Sequence, residues 1–384
     1  MPKFPEKLHK KLQNRRSDNS YRDLAQKPHL VDFSSNDYLG FSKNLDIPTI
    51  ASKILMKYHN QPIGATGSRL LSGNHKIHED LEQYLSDFYG SESALLFNSG
   101  YDANLGVLAT IPQRGDTIVF DELSHASIRD GIRLSNAKAF KFKHNDLADL
   151  ARVIGTIRNK NKEGEIYVIT ESVFSMDGDS PDLLKLNKYC SENNSHLIID
   201  EAHAVGIYEN GLVASLGLEK EVFARIVTFG KAFGVHGASV LGGVDLRNFL
   251  INFARSFIYT TALSPHSAAM IWASHKFLQQ QGKKFIQELN QRIKELKLIV
   301  VEKGIQEYFC LSDSAIQVCK IAGNDRVKSL SNQLEQDGFD VRPILSPTVP
   351  DGGERLRFCL HTFNTENELK AALEIVNKFL MHEE

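Results

Sequence analysis

From about residue 77 to 260, short apolar runs rich in Val, Ile and Phe alternate with amphipathic helical patterns, and this alternation constrains the chain more than any other feature. The runs are Ala94-Leu-Leu-Phe97, Thr117-Ile-Val-Phe120, Ile166-Tyr-Val-Ile169, Leu197-Ile-Ile199, Ile226-Val-Thr228 and Ser239-Val-Leu241. Strands apolar along their whole length suit a sheet covered on both faces, and the helices between them are the crossovers that parallel neighbours need. Ile77, Leu81, Tyr84, Leu85 and Phe88 repeat at helical spacing before Gly90, and Leu147 to Ile157 is a second such stretch. The prediction is an α/β fold with a mainly parallel central sheet.

After residue 262 the texture changes. Ser267 to Leu278 and Phe285 to Val301 read as long helices, and Ala315-Ile-Gln-Val-Cys319, Val341 and Arg355-Leu-Arg-Phe-Cys359 supply strands with polar alternation. A last helix opens on the capping box Thr365-Glu-Asn-Glu368. The expected organisation is an N-terminal segment over 1–45, a large α/β domain over 46–262 and a smaller α+β domain over 263–384. Pro347-Thr-Val-Pro-Asp-Gly-Gly353 is the clearest irregular loop.

With 45 basic and 47 acidic residues among 384, the net charge of −2 creates no global field to recruit nucleic acid or an anionic membrane. The start is charged and lacks the apolar core of a leader, and no run approaches the length of a membrane span. Cys190, Cys310, Cys319 and Cys359 lie far apart without metal-ligand spacing, which reads as thiols in a reducing compartment and places the chain in the cytoplasm.

Two apolar runs end in chemistry. Asp200-Glu-Ala-His203 follows Leu197-Ile-Ile199, and Lys231 follows Ile226-Val-Thr228-Phe-Gly230. An acid, an imidazole and an amine at the carboxyl ends of strands suit an ATPase with an acidic magnesium site, or an enzyme whose lysine holds an aldehyde cofactor. The ATPase requires an upstream GxxxxGK[ST] loop, but the Gly-Lys pairs Gly230-Lys231 and Gly282-Lys283 both lie downstream and neither has that spacing. Pyridoxal 5'-phosphate requires a lysine for its aldehyde and a carboxylate for its ring nitrogen. It also needs a phosphate cradle, which Phe97-Asn-Ser-Gly100-Tyr101 offers as a strand end, a tight turn and a helix start. His125 follows another strand and supplies a flat ring, and Gly230, Gly234, Gly237, Gly242 and Gly243 are expected to let backbone come close to the cofactor.

Motifs in order along nearly the whole chain carry a resemblance: Asn36-Asp-Tyr-Leu-Gly40, Gly64-Ala-Thr-Gly-Ser-Arg69, Asn98 to Asn104, Leu123-Ser-His-Ala-Ser127, His144-Asn-Asp146, Glu171 to Gly178, Asp200 to His203, Thr228 to Lys231, Ile258-Tyr-Thr-Thr261, and Pro347 to Pro350 before Arg355-Leu-Arg357. The chain resembles the α-oxoamine synthases, fold-type I pyridoxal-phosphate enzymes of aspartate aminotransferase-like fold that join an amino acid to an acyl-CoA with loss of carbon dioxide. The resemblance implies that Lys231 carries the cofactor and acts as base, Asp200 pairs with the ring nitrogen, His203 meets the ring hydroxyl and His125 stacks on the ring. It further implies that Ser99, Gly100, Tyr101, Ser175 and Thr228 hold the phosphate and ring oxygen. Thr260 and Thr261 would reach the phosphate of a neighbouring subunit, making the active unit a homodimer with shared sites. Arg357 would grip the substrate carboxylate, and Asn36 and Arg22 would lie toward the acyl-CoA. L-Alanine and a pimeloyl thioester, substrates of a step in biotin synthesis, are the expected pair. Glycine with an acetyl group, or serine with a long acyl chain, are the alternatives, and another pyridoxal-phosphate enzyme such as an aminotransferase is the more distant one. Departures from the family pattern at Ala204, Val205, Gly211-Leu-Val213 and His236 fall on the acyl-CoA side.

Overall fold

The apolar runs become strands whose alternate residues enter two different cores. In the computed structural model, which describes residues 3–22, 24, 27–58, 64–160, 163–310, 312–346 and 348–381, the strands in chain order are β1 (Val31–Asp32), β2 (Ser93–Phe97), β3 (Thr117–Asp121), β4 (Lys138–Phe142), β5 (Ile166–Glu171), β6 (Ser195–Asp200), β7 (Ala224–Thr228), β8 (Ala238–Gly242), β9 (Phe309–Cys310), β10 (Ile316–Lys320), β11 (Phe339–Asp340), β12 (Arg342–Ile344) and β13 (Arg355–Cys359). Pro347 lies outside the described residues. No described helix is long and apolar enough to cross a membrane.

The chain divides into two compact units, residues 36–175 with 179–288, and residues 1–35 with 176–178 and 289–384. The larger unit holds a seven-stranded sheet in the order β2-β8-β7-β6-β5-β3-β4. Ile118, Tyr167, Ile169, Ile198 and Ile226 face one core with Val107 and Leu250. Their neighbours Val119, Ile166, Val168, Leu197 and Ile199 face the other with Ile154 and Leu186. This is the two-residue period of a strand buried on both faces.

Six of the seven strands run parallel, but β8 is antiparallel to both β7 and β2. The link from Thr228 to Ala238 is too short for the crossover a parallel pair needs, so the chain turns straight back. That turn carries Lys231. The edge strand β4 is exposed except at Phe142, and its sequence Lys-Ala-Phe-Lys-Phe hides it from a search for apolar runs. Lysines on such an edge discourage pairing with another sheet.

The smaller unit contains the antiparallel sheet β12-β13-β10-β9 and the parallel pair β1-β11. Its last helix, Glu366–Met381, starts as expected: the Thr365 N–H donates to Glu368 Oε2 at 2.6 Å and the Glu368 N–H donates to Thr365 Oγ1 at 3.3 Å. The two helices expected at 267–278 and 285–301 are one continuous helix, Pro265–Glu302. Gly282 stands between them, and one interior glycine costs a helix only about 1 kcal/mol. The change of texture at 262 marks the start of this helix, whereas the compact units part within it, between Glu288 and Leu289, and at Ser35/Asn36 in place of residue 45.

Glu201 is structural. Its carboxylate accepts from Arg225 Nε at 2.8 Å and from the Val213 N–H at 2.9 Å, while the other guanidinium nitrogens donate to Tyr89 O and Asn210 O at 2.9 and 2.6 Å. Both partners of this ion pair are fully buried. Gly211, at φ +99°, passes so close that a Cβ there would lie 2.7 Å from the carboxylate. Removing one partner of a buried pair strands the other charge. Arg225→Met is therefore expected to lower unfolding stability by about 3–5 kcal/mol in urea titration.

Candidate active site

Asp121, Glu171, Asp200 and Thr228 end β3, β5, β6 and β7, so the parallel strands deliver their polar residues to one edge of the sheet. Open α/β sheets bind ligands at that edge. Glu171 and Asp200 are register partners and both are buried. Asp200 Oδ2 accepts from Asn104 Nδ2 at 2.7 Å and Oδ1 from the Ala202 N–H at 2.9 Å. These partners are neutral amides, which solvate the carboxylate without cancelling its charge. A cationic ring nitrogen would complete such a site.

Glu171 accepts from the His125 N–H at 2.7 Å. Burial, aided by the nearby charge of Asp200, pushes the Glu171 carboxyl up to about 8. The two neighbouring acids are thus separated by environment, with Glu171 holding a proton at neutral pH. His125 caps the helix Ala126–Leu134, where its Nδ1 accepts from the Ser127 N–H at 3.2 Å and lies 2.8 Å from Ser127 Oγ. Burial lowers its pKa, with Asp200 opposing and Lys231 reinforcing the shift, so the ring is held neutral and flat.

Lys231 Nζ lies 2.7 Å from His203 Nε2, and His203 Nδ1 lies 2.7 Å from the Tyr38 hydroxyl, which donates to Asn36 Oδ1 at 3.0 Å. The glycines around the lysine serve the turn more than a ligand. A Cβ on Gly234, at φ +65°, would lie 2.3 Å from Ser42 N, and one on Gly237 would lie 2.8 Å from Ile271 Cδ1. Gly242 likewise packs against Leu246 and Phe223. Close packing against protein thus accounts for Gly234, Gly237 and Gly242, while Gly230 and Gly243 have only ordinary contacts.

Ser99 caps the helix Gly100–Thr110 by accepting from the Asp102 N–H at 3.1 Å, which leaves the Gly100 and Tyr101 N–H groups in the first turn, where an anion is favoured. A Cβ on Gly100 would come 3.3 Å from Thr228 Cβ, so the turn and the end of β7 share one spot. Asn98, just before the turn, donates to Thr260 Oγ1 at 3.1 Å and to Thr261 O at 2.8 Å, tying these threonines to the same strand end. The lysine, buried carboxylate, flat neutral ring and anion-favouring turn together fit pyridoxal phosphate.

Ser175 lies in the turn after β5. His144 braces this turn, with Nδ1 2.9 Å from Asp121 Oδ1 and Nε2 2.8 Å from Asp179 Oδ2. Burial alone would lower its pKa, but the hydrogen bonds and charges of the two carboxylates overcome this and push it up to about 10. Arg357 and Arg22 belong to the smaller unit. Arg357 is buried on β13 opposite Val318, its neighbour Arg355 is ion-paired with Asp177, and Arg22 is exposed.

Glu171, Asn104 and Tyr38 sit within motifs evident in the sequence, but their roles were not. Asn104 and Asp200 are 96 positions apart, and no spacing rule links them. Their common signal is a polar side chain inside a recognised segment.

The model of the family described as aminotransferase class I and II matches residues 28–376. An 8-amino-7-oxononanoate synthase of Emericella nidulans is 38% identical over 382 residues, covering 92% of this chain and 90% of the relative. Among solved structures, the 8-amino-7-oxononanoate synthase of Francisella tularensis is 29% identical with a TM-score of 0.76, covering 92% of this chain and 98% of that one. The serine palmitoyltransferase of Sphingomonas wittichii is 25% identical with a TM-score of 0.88, covering 99% of each.

The raised Glu171 carboxyl has a sign that can be measured. Between the ordinary glutamate value of 4.5 and about 8 the folded state binds more protons than the unfolded state, so this group's contribution to stability falls as pH rises through that window. Glu171→Gln is expected to remove the decline, gaining on the wild type between pH 5 and pH 8 when urea midpoints are compared. A constant offset between the two proteins across that range would contradict the assignment.

Proposed function

This chain belongs to the class I and II aminotransferase family and, within it, to the α-oxoamine synthases, and from that premise we propose that it condenses L-alanine with a pimeloyl thioester, with loss of carbon dioxide, to give 8-amino-7-oxononanoate in biotin synthesis. The observation that carries this reading is the 38% identity, over 92% of the chain, to a relative of that name. It is supported by a lysine in contact with an imidazole and by a buried carboxylate at the carboxyl edge of the same sheet.

When bound, the cofactor supplies an aldehyde for the amine and a ring that withdraws electrons from the substrate carbon. Lys231 would hold the aldehyde, and its Nζ would take the Cα proton of the amino acid. Asp200 faces the ring nitrogen and favours its protonated form, which an amide would not do. His203 meets the ring hydroxyl. His125 packs its neutral imidazole on the ring face, so no second cation competes for Asp200. Ser99, the Gly100 and Tyr101 N–H groups and Thr228 receive the phosphate, and Ser175 meets the ring oxygen from the turn braced by His144. Arg357 binds the substrate carboxylate through its planar fork. Asn36 and Arg22 lie toward the acyl chain and its carrier.

Thr260 and Thr261 are assigned to the phosphate held by a second copy, which makes the working unit a homodimer. The enzyme is placed in the cytoplasm, a reading supported by four free cysteine thiols, three of them buried. A serine palmitoyltransferase-like activity is the second reading, favoured by the TM-score of 0.88 to that fold.

Alanine, glycine and serine, each offered with short, dicarboxylic and long acyl thioesters, distinguish the readings through the rate of thiol release. Alanine with the pimeloyl thioester is expected to exceed every other pair by about 10-fold or more. Equal or faster release with serine and a long acyl chain would overturn the assignment. Lys231→Ala is expected to abolish release and the visible absorption that pyridoxal phosphate gains on joining a lysine.

A further inference from the structure

His203 has a partner at each nitrogen, and the partner at Nδ1 determines what Nε2 can do. The Tyr38 hydroxyl carries one proton, and it donates that proton to Asn36 Oδ1 at 3.0 Å. With that proton on Asn36, Tyr38 meets His203 Nδ1, 2.7 Å away, with a lone pair, an arrangement that suits an imidazole proton on Nδ1. Nε2 is left as an acceptor, 2.7 Å from Lys231 Nζ. Tyr38 is fully buried and His203 nearly so, which holds the line of contacts in one geometry.

We propose that Tyr38, oriented by Asn36, is a positioning residue that fixes His203 with its proton on Nδ1, so that Nε2 receives a proton from the Lys231 ammonium and frees the amine for the aldehyde. The step balances within the site. One N–H bond of Lys231 breaks, one Nε2–H bond forms, and the positive charge moves from the ammonium to the imidazole. There Tyr38 stabilises it by accepting from Nδ1–H. A lysine must be neutral to attack a carbonyl, so this transfer sets how readily cofactor is captured near neutral pH. The same transfer turns Nε2 into a donor, which is what His203 needs in order to meet the ring hydroxyl. The inference rests on the reading of Lys231 as the cofactor lysine.

Two measurements on the full-length protein test it. In cofactor-free protein labelled with 15N-histidine, with the His203 signal assigned by His203→Gln, the wild type is expected to show the proton on Nδ1. Tyr38→Phe is expected to move it to Nε2. Asn36→Ala leaves the tyrosine in place but releases its hydroxyl proton toward Nδ1, and predicts the same shift should Tyr38→Phe fold poorly. In stopped-flow capture of pyridoxal phosphate, Tyr38→Phe is expected to be slower by about 10-fold at pH 7, equivalent to one unit of pKa, and to approach the wild-type rate at high pH, where bulk water deprotonates the lysine. A loss of equal size at every pH would mark a packing role and overturn the proposal, as would a wild-type His203 protonated on Nε2. If the wild type captures no pyridoxal phosphate, the proposed function falls, and the nitrogen spectrum still decides the part played by Tyr38.

Discussion

The site depends on keeping one negative charge buried at the end of β6. Asp200 lies under the sheet edge with two amide donors and a second acid, Glu171, at the paired position of β5. Two ionised carboxylates so close in a dry setting would repel strongly, and burial resolves the conflict by leaving the proton on Glu171. The neutral state of His125 follows from the same environment. In the proposed function, a protonated ring nitrogen arriving at Asp200 would meet a carboxylate whose described hydrogen-bond partners are neutral amides.

Around this charge the four residues Asp200-Glu-Ala-His203 divide their labour. Asp200 accepts from Asn104 and His203 meets Lys231, the contacts on which the proposed chemistry rests, while Glu201 turns away to a guanidinium inside the fold. The buried Arg225–Glu201 pair ties β7 to the segment after β6, and so secures the separation of Asp200 from the turn that carries Lys231. His144 does the equivalent for the far side, fastening the end of β3 to the turn after β5 through two carboxylates. The first brace is a fully buried charge pair, costly to break and so holding geometry closely, whereas the second is partly exposed and rests on two hydrogen-bonded carboxylates around one imidazole.

Much of this was legible in the sequence, and the remainder has physical reasons. Six of the seven large-sheet strands were visible because burial on both faces demands unbroken apolar runs. Lys138–Phe142 escaped because an exposed edge strand obeys no such demand. The reversal of β8 lay in a connection too short for a crossover, a feature of chain length that hydrophobicity does not report. Pro265–Glu302 read as two helices because its polar middle weakened the periodicity, while the backbone ran on through Gly282. Within the site, Asp200, Lys231, His125 and the Ser99-Gly100 turn were evident because each follows a strand and bears recognisable chemistry. The supporting contacts from Asn104, Tyr38 and Glu171 were not, because they join segments far apart in the chain and only the folded sheet brings them together.

We propose that the turn after β7 presents Lys231, among all the lysines of the chain, to the cofactor. Incubation with pyridoxal phosphate, reduction with borohydride and peptide mapping by mass spectrometry tests this most directly. One phosphopyridoxyl group per chain is expected, on the peptide containing Lys231. Label on a different lysine, or scattered over several at substoichiometric level, would contradict it.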